Sequence, residues 1–246
     1  MDNMIYISMT GAKNVMYAQS TNSNNLANVN TYGFKADLDF FQSQPVYGPG
    51  EPSRAYAEDA RAGFNHEAGS LVSTGHNLDV GIIGEGWIGV QAPDGTEAYT
   101  RRGDFRIDPN GLLTNGEGLL VLGNGGPIAI PPNESLLIGR DGTITIRPIG
   151  AGPGQLANID RLLLVNPDIK AMQKGPDGLF RLQSGELAEP DAFVQVTPGA
   201  IESSNVNAVE AMVNMIEYAR SFEAQTKMFK VAEEVDASTT KLMSIT

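Results

Sequence analysis

The sequence predicts an α+β fold in which an N-terminal and a C-terminal helix flank a central antiparallel β domain. Apolar and small residues recur at helical spacing from Met4 to Val29, with Gly11 the one glycine before Gly33. From Leu78 to about Val196, short β-type runs alternate with Asp-Gly and Asn-Gly pairs. After Gly199 neither Gly nor Pro occurs, and a helical apolar stripe takes over. The 28 Gly and 14 Pro make up about 17% of the 246 residues against roughly 12% on average, which argues against a pure helical bundle.

In chain order, residues 1–35 form the first segment, a helix whose periodic positions are Ile5, Ser8, Ala12, Val15, Gln19, Asn22, Leu26 and Val29. The Asn-rich run Asn22, Asn24, Asn25, Asn28 and Asn30 lowers helix propensity, so the helix is expected to end near Asn30 with Gly33 at positive φ. Residues 36–70, with Pro45, Gly48, Pro49, Gly50 and Pro52, read as an extended linker. The β domain spans 71–200. Its alternating runs are Leu78-Val80-Ile82, Phe105-Ile107, Ile128-Ile130 and Ile144-Ile146, while Leu162–Val165 reads as a strand buried on both faces. Asp94-Gly95, Asn110-Gly111, Asn115-Gly116, Asp141-Gly142 and Asp177-Gly178 supply tight turns, because glycine tolerates positive φ.

Residues 201–246 hold a long helix with a stripe at Val209, Met212, Ile216, Ala219, Phe222, Thr226, Phe229, Ala232, Val235, Thr239 and Leu242, each step three or four residues. Asn205 or Asn207 is the expected N-cap. From Asn207 to Leu242 the helix would reach about 54 Å, longer than a small β domain is wide. One apolar stripe does not offset the entropy of ordering such a helix. The N-terminal helix is its natural partner, and further packing between molecules is expected.

Charge and composition exclude several functions. The net charge is -12, of which residues 36–204 carry -11 and residues 1–35 hold only Asp2, Lys13 and Lys35. An acidic chain argues against nucleic acid and anionic membrane partners, and no run is long and apolar enough for membrane insertion. The start Met1-Asp2-Asn3-Met4 lacks the basic region of a cleaved signal peptide. Zero Cys excludes disulfides, thiolate metal sites and a cysteine nucleophile.

Enzyme motifs fare poorly. Gly84-Glu85-Gly86-Trp87-Ile88-Gly89 has the form G-x-G-x-x-G, but it runs into the turn Ala92-Pro93-Asp94-Gly95 rather than the helix a pyrophosphate needs. His66 and His76, near Glu67 and Asp79, lack metalloprotease spacing. Ser70, Ser73 and Thr74 lie outside any nucleophile elbow. Arg101-Arg102, with Tyr99 and Phe105, reads as paired or solvated strand residues rather than a nucleic-acid patch. No catalytic residue, metal or cofactor is expected. A secreted β-rich adhesin or binding module is the different-class alternative, and with Trp87 as the single Trp it lacks an aromatic platform.

The run Ser23-Asn24-Asn25-Leu26-Ala27-Asn28-Val29-Asn30-Thr31-Tyr32-Gly33-Phe34-Lys35 resembles the N-terminal signature of bacterial flagellar basal-body rod proteins and their hook relatives. Ile201-Glu202-Ser203-Ser204-Asn205-Val206-Asn207-Ala208-Val209-Glu210-Ala211-Met212-Val213 resembles their C-terminal signature. Gly75-His76-Asn77-Leu78-Asp79-Val80 and Tyr99-Thr100-Arg101-Arg102-Gly103-Asp104-Phe105 are similar to their shared β domain. Met1–Tyr6, Met212–Ile216 and Arg220–Glu223 look most like a proximal-rod member, with the distal rod as the alternative.

The resemblance implies a structural axial component of the periplasmic rod of the flagellar basal body, exported through the flagellar type III apparatus without a cleaved signal. Its terminal helices would form a coiled-coil-like tube layer with copies of itself and other rod proteins, the β domain lying outside. The assembly interface expected is Asn24, Asn25, Leu26, Asn28, Val29, Gly33, Phe34, Asn205, Val209, Met212, Ile216, Phe222, Phe229, Val235 and Leu242.

Overall fold

The computed structural model describes residues 4–45, 55–150, 152 and 155–243. Two helices and a mostly antiparallel β domain between them make up the fold. Helix α1 covers Met4–Ala27 and helix α2 Ala208–Met243. The first ends three residues before Asn30, because the N–H of Asn28 already divides between the carbonyls of Asn24 and Asn25 and the turn tightens. The second starts on Asn207, whose Oδ1 accepts from the N–H groups of Val209 at 3.1 Å and Glu210 at 3.4 Å. That satisfies two of the orphan donors of the first turn.

The chain divides into two compact units, one of residues 1–29, 36–65 and 206–246, the other of 30–35 and 66–205. In the first, α1 and α2 run antiparallel, since Asn22 Nδ2 donates to the Ala211 carbonyl at 2.7 Å and Gly11 lies against Gln225. Residues 36–70, expected as an extended linker, contain a hairpin instead: Asp37–Pro45 pairs antiparallel with Ala55–Phe64, with an irregularity between Leu38 and Phe40. Neither strand holds a β-branched residue, which is why the sequence hid them.

The second unit is the β domain. A main sheet runs in the order Met172–Lys174, Phe180–Leu182, Glu97–Thr100, Trp87–Gln91, Leu120–Gly123, Leu113–Thr114 and Arg106–Ile107, every pairing antiparallel. A three-stranded sheet of Asn133–Ile138, Thr143–Pro148 and Ala157–Arg161 supplies a second layer. In it Ile144 faces Ile138 and Ile146 faces Leu136, all four buried, so the predicted alternation puts one face into the core. That core joins both layers through Val80, Ile88, Leu113, Val121, Ile128, Ile144, Ile146 and Leu164. Ile128 and Ile130 are buried with Ala129 exposed, the expected alternation, but the strand there is Gly126–Pro127.

Four of the five predicted turn glycines, at 95, 111, 142 and 178, have positive φ. The fifth is a correction. Asn115 accepts from the N–H groups of Glu117 and Leu119, so the left-handed residue is Gly118 rather than Gly116.

Four turn carboxylates sit below their ordinary value. The Thr96 hydroxyl holds down Asp94, the Leu112 N–H holds down Asp108, the Thr143 hydroxyl holds down Asp141 and the Arg181 guanidinium holds down Asp177. A carboxylate whose folded-state affinity for protons is reduced stabilises the fold above its unfolded value and loses that contribution as pH falls through the folded one. The melting temperature is therefore expected to drop steeply below about pH 4, where these carboxylates take up protons. Differential scanning calorimetry from pH 7 downward on the wild type and on Asp108→Asn with Asp141→Asn should show a shallower acid limb for the variant.

Candidate assembly interface

Residues 30–35 fold into the β unit, where they meet residues 200–205. Gly33 has φ 67 and donates its N–H to the Glu202 carbonyl at 2.8 Å. A Cβ there would stand 2.4 Å from the Arg101 carbonyl carbon, so both the conformation and the close approach require glycine. Two residues on, Lys35 Nζ reaches Glu202 Oε1 at 2.7 Å and the Glu67 carbonyl at 2.7 Å. Arg101 Nη1 donates to Glu202 Oε2 at 3.0 Å, and its guanidinium lies over the Trp87 ring. The Gly69 N–H donates to Glu202 Oε1 at 2.8 Å.

This cluster is dry: Lys35 is 0%, Glu202 2% and Arg101 4% exposed. Burial pushes the Lys35 ammonium below its ordinary value, Glu202 offsets part of that, and Arg101 adds to it. Two cations share one carboxylate, so Glu202 is the member whose loss is least tolerable. Asn205 closes the junction, its N–H on the Phe34 carbonyl and its Nδ2 on the Glu67 carbonyl. Lys174 donates to the Lys35 carbonyl at 2.8 Å and lies over the Phe34 ring.

The helix pair is built the other way round. The face of α1 turned to α2 carries Ser8, Gly11, Asn14, Ala18 and Asn22, and α2 answers with Ala211, Tyr218, Phe222, Gln225 and Ala232. On the α1 side the contact is thus small and polar, and Tyr218 and Phe222 of α2 supply its aromatic part. The large apolar residues point outward: Tyr6, Met9, Met16 and Tyr17 on α1, Val209, Met212, Val213 and Ile216 on α2, with Val209 71% and Met16 58% exposed. By helical spacing, Val209, Met212, Val213 and Ile216 lie half a turn from Ala211, Tyr218 and Phe222. Farther along α2, Met228, Phe229, Val231 and Val235 are exposed as well.

The expected interface residues therefore separate. Val209, Met212, Ile216, Phe229 and Val235 are open, and Phe222 is half-buried toward α1. Gly33, Phe34 and Asn205 make the junction within the β unit. Asn25 is tied to the Asp37 backbone at both its Oδ1 and Nδ2. Asn28 Nδ2 donates to the Asn24 carbonyl, while Asn24 is exposed and Leu26 and Val29 are half-buried. The Leu242 side chain lies outside the described residues.

Elsewhere, Gly84–Gly86 leads into the strand Trp87–Gln91, so no helix follows that glycine motif. His66 is exposed, and His76 stands 3.7 Å from Asp79 at the surface. Arg102 pairs with Asp104 and Glu117. The sequence reading missed the Lys35–Glu202–Arg101 cluster. Its signal was present, since Lys35 is one of two bases in residues 1–35 and both it and Glu202 stand inside the signature runs.

Comparison with known proteins finds three family matches along the chain. Residues 5–35 match the family model described as flagella basal body rod protein, 81–146 that of the flagellar hook protein FlgE/F/G D1 domain, and 197–242 that of the flagellar basal body rod FlgEFG protein C-terminal. The flagellar basal-body rod protein FlgF of Escherichia coli is 37% identical over 251 residues, covering 100% of both chains. The chain belongs to the flagellar basal-body rod family. FlgF of Caulobacter vibrioides is 31% identical, covering 97% of this chain and 96% of its own, and FlgG of Bacillus subtilis is 31% identical, covering 94% and 95%. With FlgF proteins at 37% over the full length, the chain is a FlgF-like structural component of the rod. The two terminal rod matches, 5–35 and 197–242, contain Lys35 and Glu202, so the rod signatures meet in one buried ion cluster.

Removing Glu202 strands two buried cations, so Glu202→Ala is expected to cost about 3–5 kcal/mol. Lys35→Met removes the surplus cation, leaves Arg101 paired and should cost clearly less. Urea unfolding of both variants checks the order. Gly33→Ala combines a left-handed strain of about 1–2 kcal/mol with a clash on the Arg101 backbone, and its urea midpoint should fall accordingly.

Proposed function

We propose that this chain is a proximal-rod subunit whose helix pair packs sideways against copies of itself and other rod proteins to form the inner layer of a hollow, torque-transmitting shaft. One observation carries the reading: α1 brings small and polar groups to its contact with α2, while Tyr6, Met9 and Met16 of α1 and Val209, Met212, Val213 and Ile216 of α2 are exposed. A pair built this way buries its apolar surface only in an assembly. The outward faces differ, Tyr and Met on α1 against Val, Met and Ile on α2. A contact between unlike faces extends into an open helix where its rotation does not close, which suits a helical tube and a coiled-coil-like layer. In this reading the interface keeps Val209, Met212, Ile216, Phe229 and Val235, and gains Val213, Val231, Tyr6, Met9 and Met16.

We infer the rest of the assignment with this reading: export by the flagellar type III apparatus, a place in the periplasmic rod, and a structural role rather than catalysis, nucleic-acid binding or membrane insertion. Among the described residues no helix is long and apolar enough to cross a membrane. The acidic β domain fits an outer layer that stays apart from like-charged neighbours.

Ile216 is 56% exposed in the single chain, so Ile216→Asp is expected to leave the unfolding free energy within about 0.5 kcal/mol of wild type. In a packed interface the same carboxylate costs several kcal/mol, on the order of 3–5 for an unpaired buried charge. Cells carrying only Ile216→Asp or Phe229→Asp should therefore export the protein yet fail to complete rods, while Glu217→Ala and Lys227→Ala swim. Electron microscopy of basal bodies and soft-agar motility provide the readout, and full rods with both Asp variants would refute the interface.

A further inference from the structure

The sequence holds three Asn-Gly pairs, at Asn110, Asn115 and Asn124. Such pairs convert without an enzyme when the glycine amide nitrogen reaches the Asn side-chain carbon, since glycine offers no side chain to obstruct the approach. The approach needs a mobile carboxamide and an uncommitted N–H, and the fold grants these unequally.

Asn115 is 2% exposed, and its Oδ1 is held by the N–H groups of Glu117 and Leu119. Asn110 is exposed, but its Nδ2 is held by Asp108 Oδ2 at 2.9 Å, and the Gly111 N–H that must attack is bound to the Asp108 carbonyl at 3.0 Å. Asn124 differs from both. It sits at the tip of the hairpin joining Leu120–Gly123 to Gly126–Pro127, exposed, its N–H on the Arg161 carbonyl at 3.3 Å. Its side chain has no hydrogen bond to any described residue, and the Gly125 N–H has no acceptor among them. Around Gly125 the space is open: a Cβ there would meet only Asp160 Oδ2, at 3.9 Å.

We propose that Asn124 is a site of spontaneous deamidation in the folded protein, selected over the other two Asn-Gly pairs by the hairpin that exposes it. Solvent hydroxide takes the Gly125 amide proton, and the nitrogen bonds to Asn124 Cγ. The Cγ–Nδ2 bond breaks, and Nδ2 leaves as ammonia with a proton from water. Water then opens the succinimide at either carbonyl, giving Asp or isoaspartate. Each event adds one negative charge to the β domain, and the isoaspartate product adds a methylene to the backbone of the turn.

The test incubates the purified full chain at mildly alkaline pH and maps peptides by mass spectrometry over time, in native buffer and in urea. Native protein should accumulate the acid at Asn124, with Asn115 at least about tenfold slower because its reaction requires local opening. In urea the three sites should converge. Asn124→Gln should abolish the acidic species, and Gly125→Ala should slow it while leaving circular dichroism unchanged. Equal native rates at the three sites, or conversion of Asn124 in urea but not in the native protein, would overturn the proposal.

Discussion

Glu202 holds together parts of the chain that sequence keeps far apart. Its carboxylate accepts from Lys35, Arg101 and the Gly69 N–H, and its carbonyl accepts from Gly33. The chain passes between its two units four times, at 29/30, 35/36, 65/66 and 205/206. Lys35, Glu67 and Asn205 flank three of those passages, and hydrogen bonds within the β unit gather them. A buried ion cluster is a poor source of net stability, because desolvation consumes much of its Coulomb energy. What it supplies is uniqueness. A shifted arrangement would leave a charge buried without a partner, so the segments carrying Lys35 and Glu202 have one arrangement that satisfies both.

The same chain solves the opposite problem in its helices. Ser8, Asn14 and Asn22 are the buried polar residues of α1, where a self-sufficient helix pair would bury Leu or Ile. Small residues allow close approach, and the Asn22 bond to the Ala211 carbonyl fixes the register. Little apolar area is removed from water there, so the contact sets geometry more than affinity. The apolar area lies on the outside, where it contributes once neighbours cover it.

How much of this was legible in the sequence depended on the range of the interactions. Helix α2 was readable from its stripe and from Asn207, because cap and periodicity are local. The turn at Asp141-Gly142 was readable for the same reason. The hairpin of 37–45 and 55–64 was not, since its strands hold no β-branched residue, their Phe and Tyr stand among Ala, Gln and Asp, and they owe their state to pairing. Gly118 displaced Gly116 because the Asn115 side chain chose the turn, a competition that dipeptide statistics do not contain. The stripe was found, but which of its residues faced α1 was not. Phe222 and Ala232 turn inward while Val209 and Ile216 turn out, a distinction made by the partner helix rather than by the spacing.

The distribution of charge connects the two halves of the design. Residues 36–204 carry -11 of the total -12, whereas residues 1–35 contain three charged side chains. Neighbouring β domains of like charge repel each other within a Debye length of about 8 Å at physiological salt. In the proposed assembly, cohesion between copies would come from the terminal segments, which carry little net charge and expose Tyr6, Met9, Met16, Val209 and Ile216. The acidic domain in turn keeps its few buried charges matched, with Arg101 and Lys35 on Glu202 and Arg102 on Asp104. Attraction is concentrated in the helices and repulsion in the β domain. In the proposed assembly a chain built this way would gain most by stacking its helices while spacing its β domains, and a head-to-tail contact whose rotation does not close would extend that stacking along an axis.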